Sequence, residues 1–198
     1  MGERWNVPIA PLTVGGKTIP WVPKVRYLGV DILAAKSFSI CLHGSKIKFF
    51  QSLNTILGRI GDMNAISLIL SLTTTNCFPV LMYGLEACCL SKAQADSLQF
   101  AYNAVFCKVF KTFDKKVIVN CQYYTGILPS RFACDLGRLR FLSSICSSVD
   151  TPAGFLCKLE GWGECQQLQD TYGITLPIAN PLLLKKKVWN VFANTLNQ

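Results

Sequence analysis

The side chains of this sequence best suited to chemistry are cations, and they gather early. Lys17, Lys24 and Arg26 fall close together, Lys46, Lys48 and Arg59 follow, and the first sixty residues hold eight basic side chains against two acids, Glu3 and Asp31. Such a set suits a polyanion. Each Lys or Arg that meets a phosphate releases counterions, and the contact carries little base information. Residues 61–110 are slightly acidic, residues 111–140 are basic again and residues 141–198 are neutral, so two basic segments flank an apolar middle. Other chemistries lack their residues. His43 is the only histidine and the ten cysteines include no C-x-x-C pair, which argues against zinc. Those thiols read as reduced and buried, in an intracellular protein of nucleus or cytoplasm. No two acidic residues are adjacent, and no glycine-rich phosphate loop occurs. Glu160 and Glu164 are spaced for one helix face, but Gly161 and Gly163 beside them predict a solvated turn.

The elements that must position these cations change character along the chain. Val14–Ile19 and Val25–Ile32 read as two strands of a hairpin, joined at Pro20 and Pro23, with Tyr27 and Asp31 on one face and Gly29 between them leaving room for close backbone approach. From Lys46 the apolar period becomes helical: Ile47, Phe50, Leu53, Ile56, Leu57 and Ile60 predict an amphipathic helix over 45–60. Asp62 or Asn64 can cap a second helix to about 75, and Pro79 opens a third, 79–87. Ser91 and Gln94 form a capping box that starts a helix to Lys111, and 130–147 is the last clear helix, with Arg131, Asp135 and Arg138 spaced to pair. Trp21, Phe49 and Phe50 read as core. The predicted architecture is α+β: a short N-terminal β-hairpin over 1–33, a mainly α-helical bundle over 34–148 and a poorly defined tail over 149–198.

Hydrophobic residues make up 51% of the chain and charged ones 16%, which excludes a disordered polymer. A mean hydropathy of +0.32 is high for a lone soluble domain and predicts apolar faces that pack on something else. The uncharged run Met63–Leu85 is long enough for a membrane span, but its serines, threonines, asparagines and Pro79 favour a buried helix, a turn and a second helix, with no membrane partner.

Several short motifs, in order, resemble the end of a reverse transcriptase of the non-LTR (long interspersed element) retrotransposons. Arg26-Tyr27-Leu28-Gly29-Val30 looks like the palm edge, and Lys48-Phe49-Phe50 with Asn54-Thr55-Ile56 like the first thumb helix. Asn76-Cys77-Phe78-Pro79-Val80-Leu81-Met82-Tyr83-Gly84-Leu85-Glu86-Ala87 is similar to the family's C-x-P-x-L-x-Y-G-x-E-A stretch. Asn103, Lys108 and Phe110-Lys111-Thr112, then Val119-Asn120-Cys121-Gln122 and Leu128-Pro129-Ser130, follow in the same order. The likeness covers roughly residues 1–145.

The resemblance implies a palm-edge hairpin and thumb that grip an RNA or RNA–DNA template–primer duplex. Lys17, Lys24, Arg26, Tyr27, Gly29, Lys46, Lys48 and Arg59 are the implied contacts. Tyr27 either packs near the primer sugar or fills the palm–thumb junction. Polymerases of this family use two Mg²⁺ ions held by aspartates; no paired-aspartate turn occurs here, so Mg²⁺ is expected only in a full-length enzyme, with palm and fingers upstream of Met1. The chain alone is expected to be inactive. A stand-alone basic module that binds nucleic acid or protein, derived from such an element, is the other reading, and on composition alone Lys46, Lys48 and Arg59 read as the solvated face of an amphipathic helix.

Overall fold

Two-residue turns at Gly15-Gly16 and Leu28-Gly29, all with positive φ, fold the N-terminal region into two hairpins rather than one. The computed structural model describes residues 10–36, 38–60, 65–88, 90–148, 151–152, 154, 163–178 and 180–196. Strands β1 (Leu12–Val14) and β2 (Lys17–Ile19) pair antiparallel as a separate ribbon whose residues are all exposed. Strands β3 (Lys24–Tyr27), β4 (Val30–Leu33) and β5 (Ser39–Cys41) form an antiparallel sheet in that order, with Arg26 opposite Asp31, Tyr27 opposite Val30 and Ile32 opposite Ile40. Paired residues share a face, so Tyr27 lies with Val25, Val30 and Ile32, while Asp31 lies with Lys24 and Arg26. This corrects the continuous strand Val25–Ile32 and its shared Tyr27–Asp31 face: a turn at Leu28-Gly29 reverses the chain. Trp21, expected in the core, is 60% exposed.

Helix α1 (His43–Ile60) follows β5 directly and buries Phe49 and Leu53. The cap expected at Asp62 or Asn64 lies outside the described residues. Helix α2 (Ile66–Leu72) runs on through a π-turn (Thr73–Cys77) into the short helix α3 (Phe78–Met82), where a turn and a break were expected. Pro79 has no N–H to give to Thr75, and the widened turn accommodates it: Phe78 N–H reaches back five residues to Thr73 O. Thr74, Thr75 and Asn76 donate their side chains to the carbonyls of Leu70, Ser71 and Leu72. Among the described residues, no helix is long and apolar enough to cross a membrane.

The expected helix 79–87 stops at Met82, because Gly84 takes φ +76°, and Leu85–Ala87 form one 3-10 turn. The capping box holds as read from sequence: Gln94 N–H donates to Ser91 Oγ and Ser91 N–H to Gln94 Oε1 at the start of α4 (Lys92–Phe110). Gln94 also donates through Nε2 to Ile40 O at 2.7 Å, tying the bundle to the sheet. Helix α5 (Lys115–Thr125) was not anticipated; its β-branched Val117-Ile118-Val119 run hides a helix capped by Asp114 and ended by Gly126. Helix α6 (Ser130–Ser147) falls as expected.

One core joins β5, α1, α3 and α4 through stacked rings, Phe49, Phe78, Tyr102, Phe106 and Phe110, with Phe78 and Tyr102 only 3.9 Å apart. Beyond residue 148, helices α7 (Gly163–Tyr172) and α8 (Pro181–Thr195) pack on α6 around Leu139, Leu184, Val188 and Phe192, a second core. Glu160 and the Glu164 side chain lie outside the described residues. The whole is an α+β fold, strands first.

Candidate nucleic-acid interface

The Leu28-Gly29 turn is the pivot of the N-terminal sheet, and the residues holding it come from the far end of the α2–α3 rod. Leu28 sits at φ +46°, a left-handed conformation that costs a side-chain-bearing residue about 1–2 kcal/mol. Its carbonyl accepts a hydrogen bond from Tyr83 Oη at 3.1 Å. A Cβ on Gly29 would stand 3.3 Å from the Tyr83 ring, and one on Gly84 only 2.7 Å from Val30 Cγ2. Two motifs 55 residues apart, Tyr27-Leu28-Gly29-Val30 and Tyr83-Gly84, thus form one joint. Leu28 itself is 73% exposed on top of it.

Beside this joint the structure gathers three of the sequence-predicted cations around one carboxylate. Lys24 Nζ lies 3.0 Å from Asp31 Oδ2. The hydrogen bond from Lys24 is the largest cause holding the Asp31 carboxyl below its ordinary range; burial opposes it, and the charges of Lys24, Arg26 and Lys48 each add a smaller pull in the same direction as the hydrogen bond. Helix α1 closes the group: Gly44 faces Asp31, and Lys48 stands one turn further on. Arg26, Gly29, Asp31, Lys48 and Tyr83 line one small cavity of about 50 Å³. Three cations facing one carboxylate leave an excess of positive charge, a setting for an anion.

The remaining predicted residues divide. Arg59 lies in the last turn of α1 on the same side as Lys48, about 16 Å further along the axis at 1.5 Å per residue, with exposed Gln51 and Thr55 between them. Lys46 points the other way, donating to Ser97 Oγ at 2.7 Å and joining α1 to α4. Lys17 is exposed on the separate β1–β2 ribbon, away from the cluster in the pairing. Tyr27 is 63% exposed and fills no junction among the described residues; Tyr83 does that. Lys108 was not assigned to the site, yet it donates to Asn54 Oδ1 at 2.7 Å and adds a cation at the flank of α1.

No family model, curated protein or solved structure matches this chain.

Other residues that carried the resemblance meet inside the bundle. Asn103 Oδ1 accepts from Gln99 Nε2 and Gln122 Nε2, Ser130 Oγ donates to Gln99 Oε1, and Tyr102 Oη donates to Leu128 O at 2.9 Å. Gln122 Oε1 is buried without a partner among the described residues, and the bonds that are made tie α4, α5 and α6 together. Asp31 is engaged by Lys24 in a basic setting, and among the described residues no three His, Cys, Asp or Glu side chains converge. No reaction step is assigned to this chain.

A second cavity, about 290 Å³, lies between the Leu85–Ala87 turn, α4 and α6 and is lined by Asp96, Arg131, Asp135 and Arg138. Asp135, expected to pair with the two arginines, takes a hydrogen bond from Tyr172 Oη at 2.5 Å, and burial raises its carboxyl pKa. That contact pins α7 to α6. Burial likewise pushes the Cys134 thiol up to about 12, the protonated and unreactive form at neutral pH.

Proposed function

We propose that this chain is the template–primer-gripping portion of a retroelement RNA-directed DNA polymerase, without the catalytic aspartates. The observation that carries the reading is the joint at Leu28-Gly29 and Tyr83-Gly84 with Arg26, Lys24 and Lys48 gathered beside it. The motifs that suggested the family are contact partners in the fold, although they lie far apart in sequence. A strained, exposed turn held by a tyrosine is the kind of feature that concentrates at functional sites. Here it would lie against the primer strand, with Lys48 and Arg59 following the duplex along α1. The ligand is an RNA or RNA–DNA duplex, read through its phosphates.

Fluorescence anisotropy with a labelled RNA–DNA hybrid across a salt series tests this. Arg26→Gln with Lys48→Gln is expected to weaken binding and to lower the slope of log K against log salt by about 2, near 0.9 per lost phosphate contact. Lys46→Gln, whose ammonium is turned toward Ser97, is expected to leave the slope unchanged. An unchanged slope in the double variant would remove the cluster from the grip.

One observation favours the second reading, a module that binds protein. Strand β3 is a sheet edge, and Trp21, Val22, Val25 and Leu28 along it are exposed. Under that reading the charge variants leave binding intact, while Val25→Lys abolishes capture of the partner.

A further inference from the structure

Helices α5 and α8 carry no acidic residue, and together they hold five lysines, Lys115, Lys116, Lys185, Lys186 and Lys187. Ring contacts fix the two helices side by side. Tyr123 stacks on Trp189 with centroids 5.7 Å apart and planes 21° from parallel. Both meet Phe192 edge-on, and Phe192 is buried in the second core, so the pair is anchored from beneath. Tyr124 then stands edge-on to Tyr123 at 5.5 Å and is 85% exposed. A rigid group of rings emerges at the surface, its outermost ring in solvent.

The cations sit where helical geometry makes them neighbours of these rings. Lys185 and Lys186 are exposed, four and three residues before Trp189, one turn away on α8. Lys116, also exposed, precedes Tyr123 by seven residues and so lies on the same stripe of α5, with Asn120 between them. Lys187 differs: its ammonium is bonded to Gly173 O. Among the described residues, Asp114 caps α5 through Lys116 N–H and Asp170 accepts from Gln166.

We propose that the α5–α8 face is a binding surface for single-stranded nucleic acid, with bases stacked on Tyr124 and the Tyr123–Trp189 pair and phosphates on Lys116, Lys185 and Lys186. Exposed rings interleaved with lysines are what an unpaired strand needs, because every base has a face to stack and every link has a charge. A duplex hides its bases and would use the lysines alone. The face is built from helices that the grip does not use, and it stands or falls without that reading. An anionic bilayer is the competing occupant, since Leu182 and Leu183 are exposed in the first turn of α8. Exposed Lys116, Asn120, Lys185 and Lys186 lie within a turn or two of the rings, so the face carries charge beside its apolar residues Val117, Leu182 and Leu183.

The test is anisotropy of the full chain with labelled U20 and dT20, beside a 20-base-pair RNA–DNA hybrid and phosphatidylserine vesicles. Tyr124→Ala is expected to weaken single-strand binding about 5- to 150-fold, the span of one lost base stack. Tyr124→Trp should retain it. Lys185→Gln with Lys186→Gln should lower the salt slope by about 1.4, near 0.7 per contact. Loss with U20, with dT20 or with both supports the surface, and comparing the two strands tells RNA from DNA. Hybrid binding is expected to be unmoved by Tyr124→Ala, while Arg26→Gln with Lys48→Gln leaves the single-strand affinity intact. Tyr124 is solvent-exposed, so the variant keeps the fold, and an unchanged affinity for both strands overturns the proposal. Equal loss on the hybrid, or losses confined to vesicles, overturns it as well.

Discussion

Replacing Gly84 by alanine tests the joint between sheet and bundle directly. At φ +76° a side-chain-bearing residue costs about 1–2 kcal/mol on backbone grounds alone. The new methyl would in addition stand 2.7 Å from Val30 Cγ2, well inside contact distance, so β4 or the Tyr83-Gly84 turn must shift. Forcing such a group into packed surroundings adds about 1–3 kcal/mol. The expected total is therefore about 2–5 kcal/mol. Gly126 supplies the control: its φ is +72°, nearly the same, yet a Cβ there meets nothing within 4 Å. Gly126→Ala should cost about 1–2 kcal/mol, the backbone part only. Urea unfolding followed by circular dichroism gives both values on one protein, and the difference between them isolates the Val30 contact. Equal destabilisation by the two substitutions would refute the close packing of Gly84 on β4, and with it the joint as described.

Two further outcomes follow from the titrating groups. Lys24→Met should raise the Asp31 pKa toward its ordinary value, read from the carboxylate shift in an NMR pH titration, because the hydrogen bond from Lys24 is the largest cause of its depression. The stability Asp31 contributes is present above the unfolded carboxylate value, near 3.9, and is lost as pH falls through the lower folded value; Lys24→Met should flatten that acid limb, and an unmoved Asp31 midpoint would count against the pair. At alkaline pH the sign reverses: the half-buried Cys134 thiol keeps its proton up to about 12. Stability should therefore fall as pH rises above the unfolded thiol value of about 8.5, by about 2 kcal/mol at pH 10, and the urea midpoint of Cys134→Ala should drop less between pH 8 and 10 than that of the parent chain.

Local signals with a single physical cause were legible in the sequence. The apolar period of α1 and α6 and the capping box at Ser91 each came through, because each depends on neighbours within four residues. The α+β order came through with them. The turn at Leu28-Gly29 did not: Tyr27-Leu28-Gly29-Val30 alternates like a strand, and the Tyr83 hydroxyl that meets the carbonyl of left-handed Leu28 lies 55 residues away. Helix α5 was hidden by three consecutive β-branched residues, whose propensity is overridden once Ile118 is buried. Of the candidate site, Lys24, Arg26 and Lys48 proved to be neighbours, since two of them share a strand and the third faces it. Lys46 could not be separated from Lys48 without knowing that Ser97 lies across from it. The rings of Tyr123 and Trp189 lie on elements that sequence periodicity did not find.

The π-turn at Thr73–Cys77 sets the phase of everything after it. It holds one residue more than an α-helical turn, so each side chain beyond Cys77 is rotated by about 100° from where an uninterrupted α-helix would place it. Tyr83 and Gly84 meet the Leu28-Gly29 turn at that rotated setting. Winding the same residues as a regular α-helix would place Pro79 in a turn that needs its missing N–H and swing Tyr83 off the sheet, whereas removing one residue between Thr73 and Asn76 together with the wide turn would leave Tyr83 in phase. The TTTNC segment is thus a clutch between rod and sheet, and its wide winding, which absorbs one residue, decides whether they engage.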